Sequence, residues 1–202
     1  MTISPYALTS LSKVHAELPN LEGTAEEDDR LIELINSVTA LIESVVDRRL
    51  VSRTYTSFLL SGNARYSPSV MAFPEWPLTA VSAITIKPAS LLVAEQVVLV
   101  SGEDWTFNNA GLMYLIDGDE FVLGVNNIEV TATAGYLTTH PLWPILEKAC
   151  VDTVKHEWAK AKNPQDMVLS ISDPGGSVSY FQGPLLPQVR MVLENTFKRQ
   201  DI

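Results

Sequence analysis

Cysteine occurs once in the 202 residues, at Cys150, and histidine three times, at His15, His140 and His156. A single thiol excludes an intrachain disulfide and any cysteine-cluster zinc site. Basic residues are also few: 14 Lys and Arg stand against 24 Asp and Glu, a formal net charge of −10. That deficit argues against ordinary nucleic-acid binding, which needs a basic footprint to release counterions. Apolar runs are broken by Ser, Thr, Glu or Pro well short of the ~20 residues that span a bilayer. Residues 1–11 have no basic segment followed by a sustained apolar one, and the C-terminus carries no lipidation signal. The expectation is a soluble chain with an intracellular redox history and no membrane partner.

What is present is an ordinary globular composition, 46% apolar and 19% charged, enough for a filled core without staples. Thr9 and Ser10 precede a short helix over 11–18 that Pro19 stops. The clearest element starts at Thr24, which has capping-box spacing to Glu27. Glu26, Glu27, Asp28 and Asp29 occupy its first turn, where the helix dipole favours anions, and Arg48 and Arg49 are expected in its last. Between them Leu31, Leu34, Ile35, Val38, Leu41, Ile42 and Val45 recur at three-and-four spacing. Ile32 and Val46 widen the stripe, so this helix should touch more than one neighbour.

From Arg53 the period changes. Segments 53–60, 70–73, 78–87, 96–100, 105–107, 112–116, 121–123 and 127–134 read as short strands, with a turn at 61–63 and a hairpin turn at 108–111. Their spacing predicts a compact antiparallel sheet or small barrel. A second long helix opens at Pro141 or Leu142 and runs to about Lys162, with Ile145, Leu146, Ala149, Cys150, Val154, Trp158 and Ala161 on one face. Residues 163–182 carry no helical pattern. They alternate at Val168, Ser170, Ser172, Val178 and Tyr180 around the turn sequence Asp173-Pro-Gly-Gly176, which reads as a protruding hairpin or arm. A last helix spans about 185–199, with Val189, Val192, Leu193 and Phe197 on one face.

Neither long helix can bury its stripe alone, so early and late helices must pack together and the strands form an insertion. The expected class is α+β: a bundle of N- and C-terminal helices, an inserted antiparallel β-rich block, and a C-terminal hairpin or arm. The divisions fall at 1–52 (helices), 53–136 (β block), 137–163 (core helix), 164–184 (arm) and 185–202 (last helix).

Catalytic patterns fail one by one. There is no Gly-x-Ser-x-Gly elbow. His156-Glu157 starts a zinc-protease helix pattern, but Lys160 stands where the second histidine belongs. Gly175-Gly176 is not followed by Lys-Ser/Thr, and the run 26–29 lacks the ligand alternation of a calcium loop. Cys150, on an inward stripe, reads as a small buried hydrophobe. No cofactor, metal or enzymatic activity is expected.

Four segments together resemble the head-tail connector (adaptor) proteins of long-tailed bacteriophages. One is Asp28-Asp-Arg-Leu-Ile-Glu-Leu-Ile-Asn36 through Ala40-Leu-Ile-Glu43, closing on Asp47-Arg-Arg-Leu50. The others are Phe73-Pro-Glu-Trp-Pro-Leu78 before Val81-Ser-Ala-Ile84, Val130-Thr-Ala-Thr-Ala-Gly-Tyr136 before a Pro-led helix, and Ser177-Val-Ser-Tyr180 before Leu186-Pro-Gln-Val189. Their order over residues 9–199 carries the likeness. The chain departs from the family's pattern in a longer strand block, around 61–71 and 91–104.

The resemblance implies a homo-oligomeric ring, commonly of twelve subunits, beneath the capsid portal. The ring would continue the DNA channel, enclose DNA without binding it specifically, and receive a stopper or tail-completion protein. It implies virion localisation and an arm that reaches onto the portal. Portal-interface candidates are then Val168, Ile171, Val178, Tyr180, Phe181, Leu185 and Leu186. Subunit or tail-side candidates are Trp76, Trp105, Phe107 and Tyr114, and acidic-surface candidates are Glu26, Glu27, Asp28 and Asp29. Removing 163–202 is expected to abolish portal docking. The competing readings are a head-completion or tail-side virion protein, a β-rich binding module with a cleft among Trp76, Trp105 and Tyr114, and a hydrolase with an unseen site.

Overall fold

A computed structural model describes residues 1–18, 21–62, 69–87, 96–162, 171–173, 176–178 and 185–198. In chain order the elements are α1 (Leu11–Glu17), α2 (Ala25–Val46), β1 (Arg53–Gly62), β2 (Val70–Ala72), β3 (Leu78–Ile86), β4 (Val97–Leu99) and β5 (Trp105–Phe107). There follow β6 (Leu112–Leu115), β7 (Gly124–Ala134), α3 (Trp143–Lys162), β8 (Ile171–Asp173), β9 (Gly176–Val178) and α4 (Pro187–Phe197). The class is α+β, and the chain divides into a helical unit, Met1–Arg48 with Thr139–Ile202, and a strand unit, Arg49–Thr138.

In the helical unit α2 packs against α1, α3 and α4. The Thr24 hydroxyl accepts from the Glu27 N–H at 3.2 Å, which fixes the start of α2. Its buried face is rotated from the expected stripe. Ile32, Thr39 and Val46 are buried with Leu31, Ile35, Val38 and Ile42, while Leu34, Leu41 and Val45 are only half-buried. Three helical neighbours explain the breadth of this face. The basic dipeptide is not in the last turn, because Asp47 ends α2 in the left-handed region at φ 54°. That turn swings Arg48 inward, where it is 6% exposed and its Nε donates to the Phe197 carbonyl at 2.7 Å. A cation thus caps the C-terminal end of α4 rather than that of α2. From α4, Val189, Leu193 and Phe197 are buried. From α3, Leu146, Cys150, Val154 and Trp158 are buried. Burial pushes the Cys150 thiol up to about 12, so it stays a neutral core group, hydrogen-bonded to Thr39. His140 helps start α3: its Nδ1 accepts from the Leu142 N–H at 3.2 Å.

The strand unit has two antiparallel sheets, ordered β1-β7-β3-β4 and β2-β6-β5, rather than a barrel. They share one core: Ile84, Ile128 and Val130 come from the first, Trp105 and Met113 from the second, and Phe73 from the turn after β2. β1 runs on through Gly62, so 61–62 are strand residues and not a turn. The expected strand at 121–123 is absent. Phe121 is buried, and β7 begins at Gly124. Ile171 pairs with Val178 in the two-stranded β8-β9 sheet, so 171–173 and 176–178 form a hairpin, while Val168, Ser170 and Tyr180 of the expected alternation lie outside the described residues.

Gly135 shows how the strand unit closes. It has φ +105°, and a Cβ there would lie 2.8 Å from the Val51 carbonyl carbon and oxygen. Beside it, Tyr136 N–H donates to Leu50 O at 2.6 Å and accepts at its own carbonyl from Ser52 N–H at 3.0 Å. Gly135→Ala combines a disfavoured φ with a backbone clash. A destabilisation of about 1–3 kcal/mol or more is expected in denaturant titration.

Candidate functional site

The acidic run at the start of α2 is largely engaged within its own unit. The Glu27 carboxylate accepts from the Glu22 and Gly23 N–H groups at 2.8 and 3.1 Å and from Lys162 Nζ at 3.1 Å. Asp28 faces His15 Nε2 at 2.8 Å, and Asp29 faces the terminal amine of Met1 at 2.6 Å. Contact does not guarantee a well-directed hydrogen bond: the His15–Asp28 pair is close but lacks hydrogen-bond geometry. Glu26 is exposed. The run is therefore a helix cap in which Glu27 and Asp29 face cations of their own unit, Lys162 and the terminal amine, while Asp28 lies beside His15 and Glu26 is exposed.

The hydrogen bond from Lys162 outweighs the opposing desolvation and, with smaller help from the Glu22 and Gly23 amides, holds the Glu27 carboxyl below its ordinary value. A depressed folded-state value means the unfolded chain binds more protons in acid. The contribution is present above the unfolded value and is lost as pH falls through the folded one. Glu27→Gln should lower the melting temperature slightly at pH 7, and the gap from wild type should close as pH falls below the ordinary carboxylate range. A gap that widens in acid would contradict this assignment.

The aromatic candidates do not form one surface. Trp105 is 1% exposed, inside the shared core, with Nε1 donating to the Leu99 carbonyl at 3.3 Å. It is a core residue and offers no interface, a correction to its sequence-based placing. Trp105 and Phe107 pair with Leu115 and Met113, whereas Tyr114 pairs with Thr106. Side chains alternate across a strand, so Tyr114 points to the opposite face from Trp105 and the two cannot line one cleft. Tyr114 is half-buried, its hydroxyl accepting from Asn108 Nδ2 at 2.9 Å. Phe107 is half-buried against the core, and Trp76 is half-buried in the turn between β2 and β3.

Of the arm candidates, Val168, Tyr180 and Phe181 lie outside the described residues. Ile171 and Val178 are paired across the β8-β9 hairpin. Leu185 is 4% exposed, so it belongs to the core of the helical unit and cannot reach a partner as an exposed anchor. Leu186 is half-buried at the N-cap of α4.

Two features are not among the sequence-based site candidates. One is an apolar groove of about 460 Å³ between α3 and α4, lined by Pro144, Ile145, Ala149, Val189 and Val192, with Lys148 and Asp152 at its edge. It is built from residues some 40 apart in sequence, and no periodicity could pair them. The other is the stretch Val122, Leu123 and Val125 in the strand unit, 48%, 67% and 85% exposed. Residues 121–123 read as a strand from their apolar run but precede the sheet, whereas Val125 lies in β7. Among the described residues no group of three or more His, Cys, Asp or Glu could hold a metal ion. Burial, then Lys160, pushes the His156 imidazole below its ordinary value. Among the described residues no helix is long and apolar enough to cross a membrane.

No protein-family model and no curated protein matches the chain. Solved structures do. A chain in the neck of an empty gene transfer agent (GTA) particle, computed with C6 symmetry, has a TM-score of 0.60 at 17% identity, over 100% of this chain and 95% of its own. A chain in the neck of the native particle, computed with C12 symmetry, scores 0.59 at 15% identity, over 100% and 94%. A chain in the virion of the native particle scores 0.57 at 16%, over 100% and 95%. At these identities the likeness establishes the fold: the whole α+β architecture is that of these particle chains.

Proposed function

We propose that the chain is a structural protein of the neck of a phage-like particle, a head-tail connector (adaptor) that forms a ring beneath the capsid portal. The observation that carries this reading is the end-to-end fold match to chains from particle necks. A partial match would have left an insertion or an extra domain to explain. The symmetries of those necks, C12 and C6, favour a ring, and twelve copies is the number proposed here. The ring continues the DNA channel and receives a stopper or tail-completion protein on its far side. The segment 164–184, with the β8-β9 hairpin at its centre, reaches onto the portal and can add strands or lodge Tyr180 and Phe181 there. Function resides in interfaces rather than in catalysis.

A net charge of −10 fits a protein that surrounds DNA without retaining it. Since Glu27 and Asp29 face cations of their own unit, the repulsion rests on the remaining exposed carboxylates. Asp117, Asp119 and Glu120 are among them.

Negative-stain imaging of the purified chain alone and with portal tests the proposal. Rings that form on portal, or in free solution and then dock, are expected, with no measurable DNA affinity at moderate salt. A chain that stays monomeric and indifferent to portal overturns it.

A further inference from the structure

Residues 1–18, which end with α1 and its cap, are fastened to the helical unit mostly by polar contacts. Leu8, Thr9 and Val14 are their buried side chains, whereas α2 and α3 bury eight each. From α2, Asn36 Oδ1 accepts from the Ser4 N–H at 2.9 Å and Asn36 Nδ2 donates to the Thr2 carbonyl at 3.2 Å. Thr39 Oγ1 accepts from the Leu8 N–H, also at 3.2 Å. Asn36 and Thr39 stand three apart and so share one face of that helix. From α3, Glu147 lies 3.8 Å from Lys13 Nζ, and Lys155 Nζ donates to Glu17 at 3.1 Å. Beside these pairs is a hollow of about 150 Å³ lined by Lys13, Glu17 and Val151, so α1 does not close fully onto α3.

Such a segment is poorly retained. Leu8 and Val14 are a small apolar return for ordering the whole of 1–18. Exposed ion pairs add little to it. The other helices hold one another without this segment, since α2 packs on both α3 and α4. Regions with few buried apolar contacts open locally while the rest of the fold persists.

Cys150 marks the surface beneath. Glu147, Val151 and Lys155 recur every four residues along the α3 stripe that faces α1, and Cys150 flanks that stripe. Cys150 is fully buried and hydrogen-bonded to Thr39, the residue that holds Leu8. We infer that residues 1–18 form a strap that opens as one piece from the folded helical unit and uncovers the α2–α3 face around Thr39 and Cys150. The strap belongs to the single chain and is independent of the ring reading.

Thiol labelling of the purified full chain tests it, because Cys150 is the sole cysteine. An aromatic disulfide reagent reaches the thiol only when the face is uncovered. The labelling rate in buffer, divided by that in strong urea, gives the open fraction, and denaturant titration gives the globally unfolded fraction. The open fraction should exceed the unfolded one by about tenfold or more, and it should change little at low urea, because a short segment exposes little surface. Leu8→Ala should speed labelling by about tenfold or more, since it empties a buried strap site. Asn36→Ala, at a half-buried position, should speed it about threefold, as expected for losing a hydrogen bond, and keeps the test open if Leu8→Ala does not fold. Phe197→Leu, which loosens the packing of α4, should lower global stability and leave the labelling rate unchanged. An open fraction equal to the unfolded one would overturn the inference. So would labelling that rises in Phe197→Leu in step with its lost global stability.

Discussion

Trp105→Ala is expected to destabilise the strand unit by about 3–5 kcal/mol, the cost of emptying a large core site. Trp105 is among the largest fully buried side chains of the protein, and it joins the β5-β6 sheet to the shared core. Its indole N–H also satisfies the Leu99 carbonyl at the edge of the other sheet, so truncation leaves that oxygen without this donor. Denaturant titration measures the loss. Tyr114→Ala, at a half-buried position on the opposite face, should cost clearly less. If Trp105→Ala instead left stability intact and abolished assembly, the side chain would be an interface residue after all.

Removing α4 should have an effect of the same order. Phe197 is fully buried, Leu193 is fully buried, and the Phe197 carbonyl is the acceptor for buried Arg48. Phe197→Ala alone is expected to cost about 3–5 kcal/mol. Deleting 163–202 would take all three buried α4 side chains and leave Arg48 without that acceptor, so the helical unit should unfold. Loss of portal docking in that truncation would therefore report unfolding and say nothing of the arm. The discriminating variant is Tyr180→Ser with Phe181→Ser. Circular dichroism and melting should match wild type while portal docking falls, as expected of aromatic anchors at an interface.

What could be read from the sequence follows from how locally each feature is determined. α2 was legible because cap, first-turn carboxylates and periodicity all act within a few residues. The β8-β9 hairpin was legible because a turn sequence and period-two alternation coincide. The α+β order followed from the change of period at Arg53. The widening of the α2 stripe by Ile32 and Val46 was legible, and both are buried; that Thr39 joins them while Leu34, Leu41 and Val45 stay half-buried was not, because it depends on how α2 packs against three other helices. Arg48 was misplaced for a related reason: Asp47 turns left-handed, and nothing nearby in sequence forces an aspartate to do so. Trp105 and Tyr114 differ in burial and in face only because of strand register, which one residue would invert. The run 121–123 has the composition of a strand, but it precedes β7, and Asn127 spends its side chain on Gly62 and Val122 there. The groove joins residues from two helices distant in sequence, so its existence depends on the packing of α3 on α4.

The central claim is that this chain forms a ring in the neck of a particle. Cryo-electron microscopy of particles assembled with the chain, reconstructed at the neck with and without imposed symmetry, addresses it most directly. The expected result is density matching both the helical and the strand unit in a closed ring of twelve copies against the portal, its lumen continuous with the DNA channel. Density for the chain elsewhere in the particle, or as isolated copies at the neck, would contradict it.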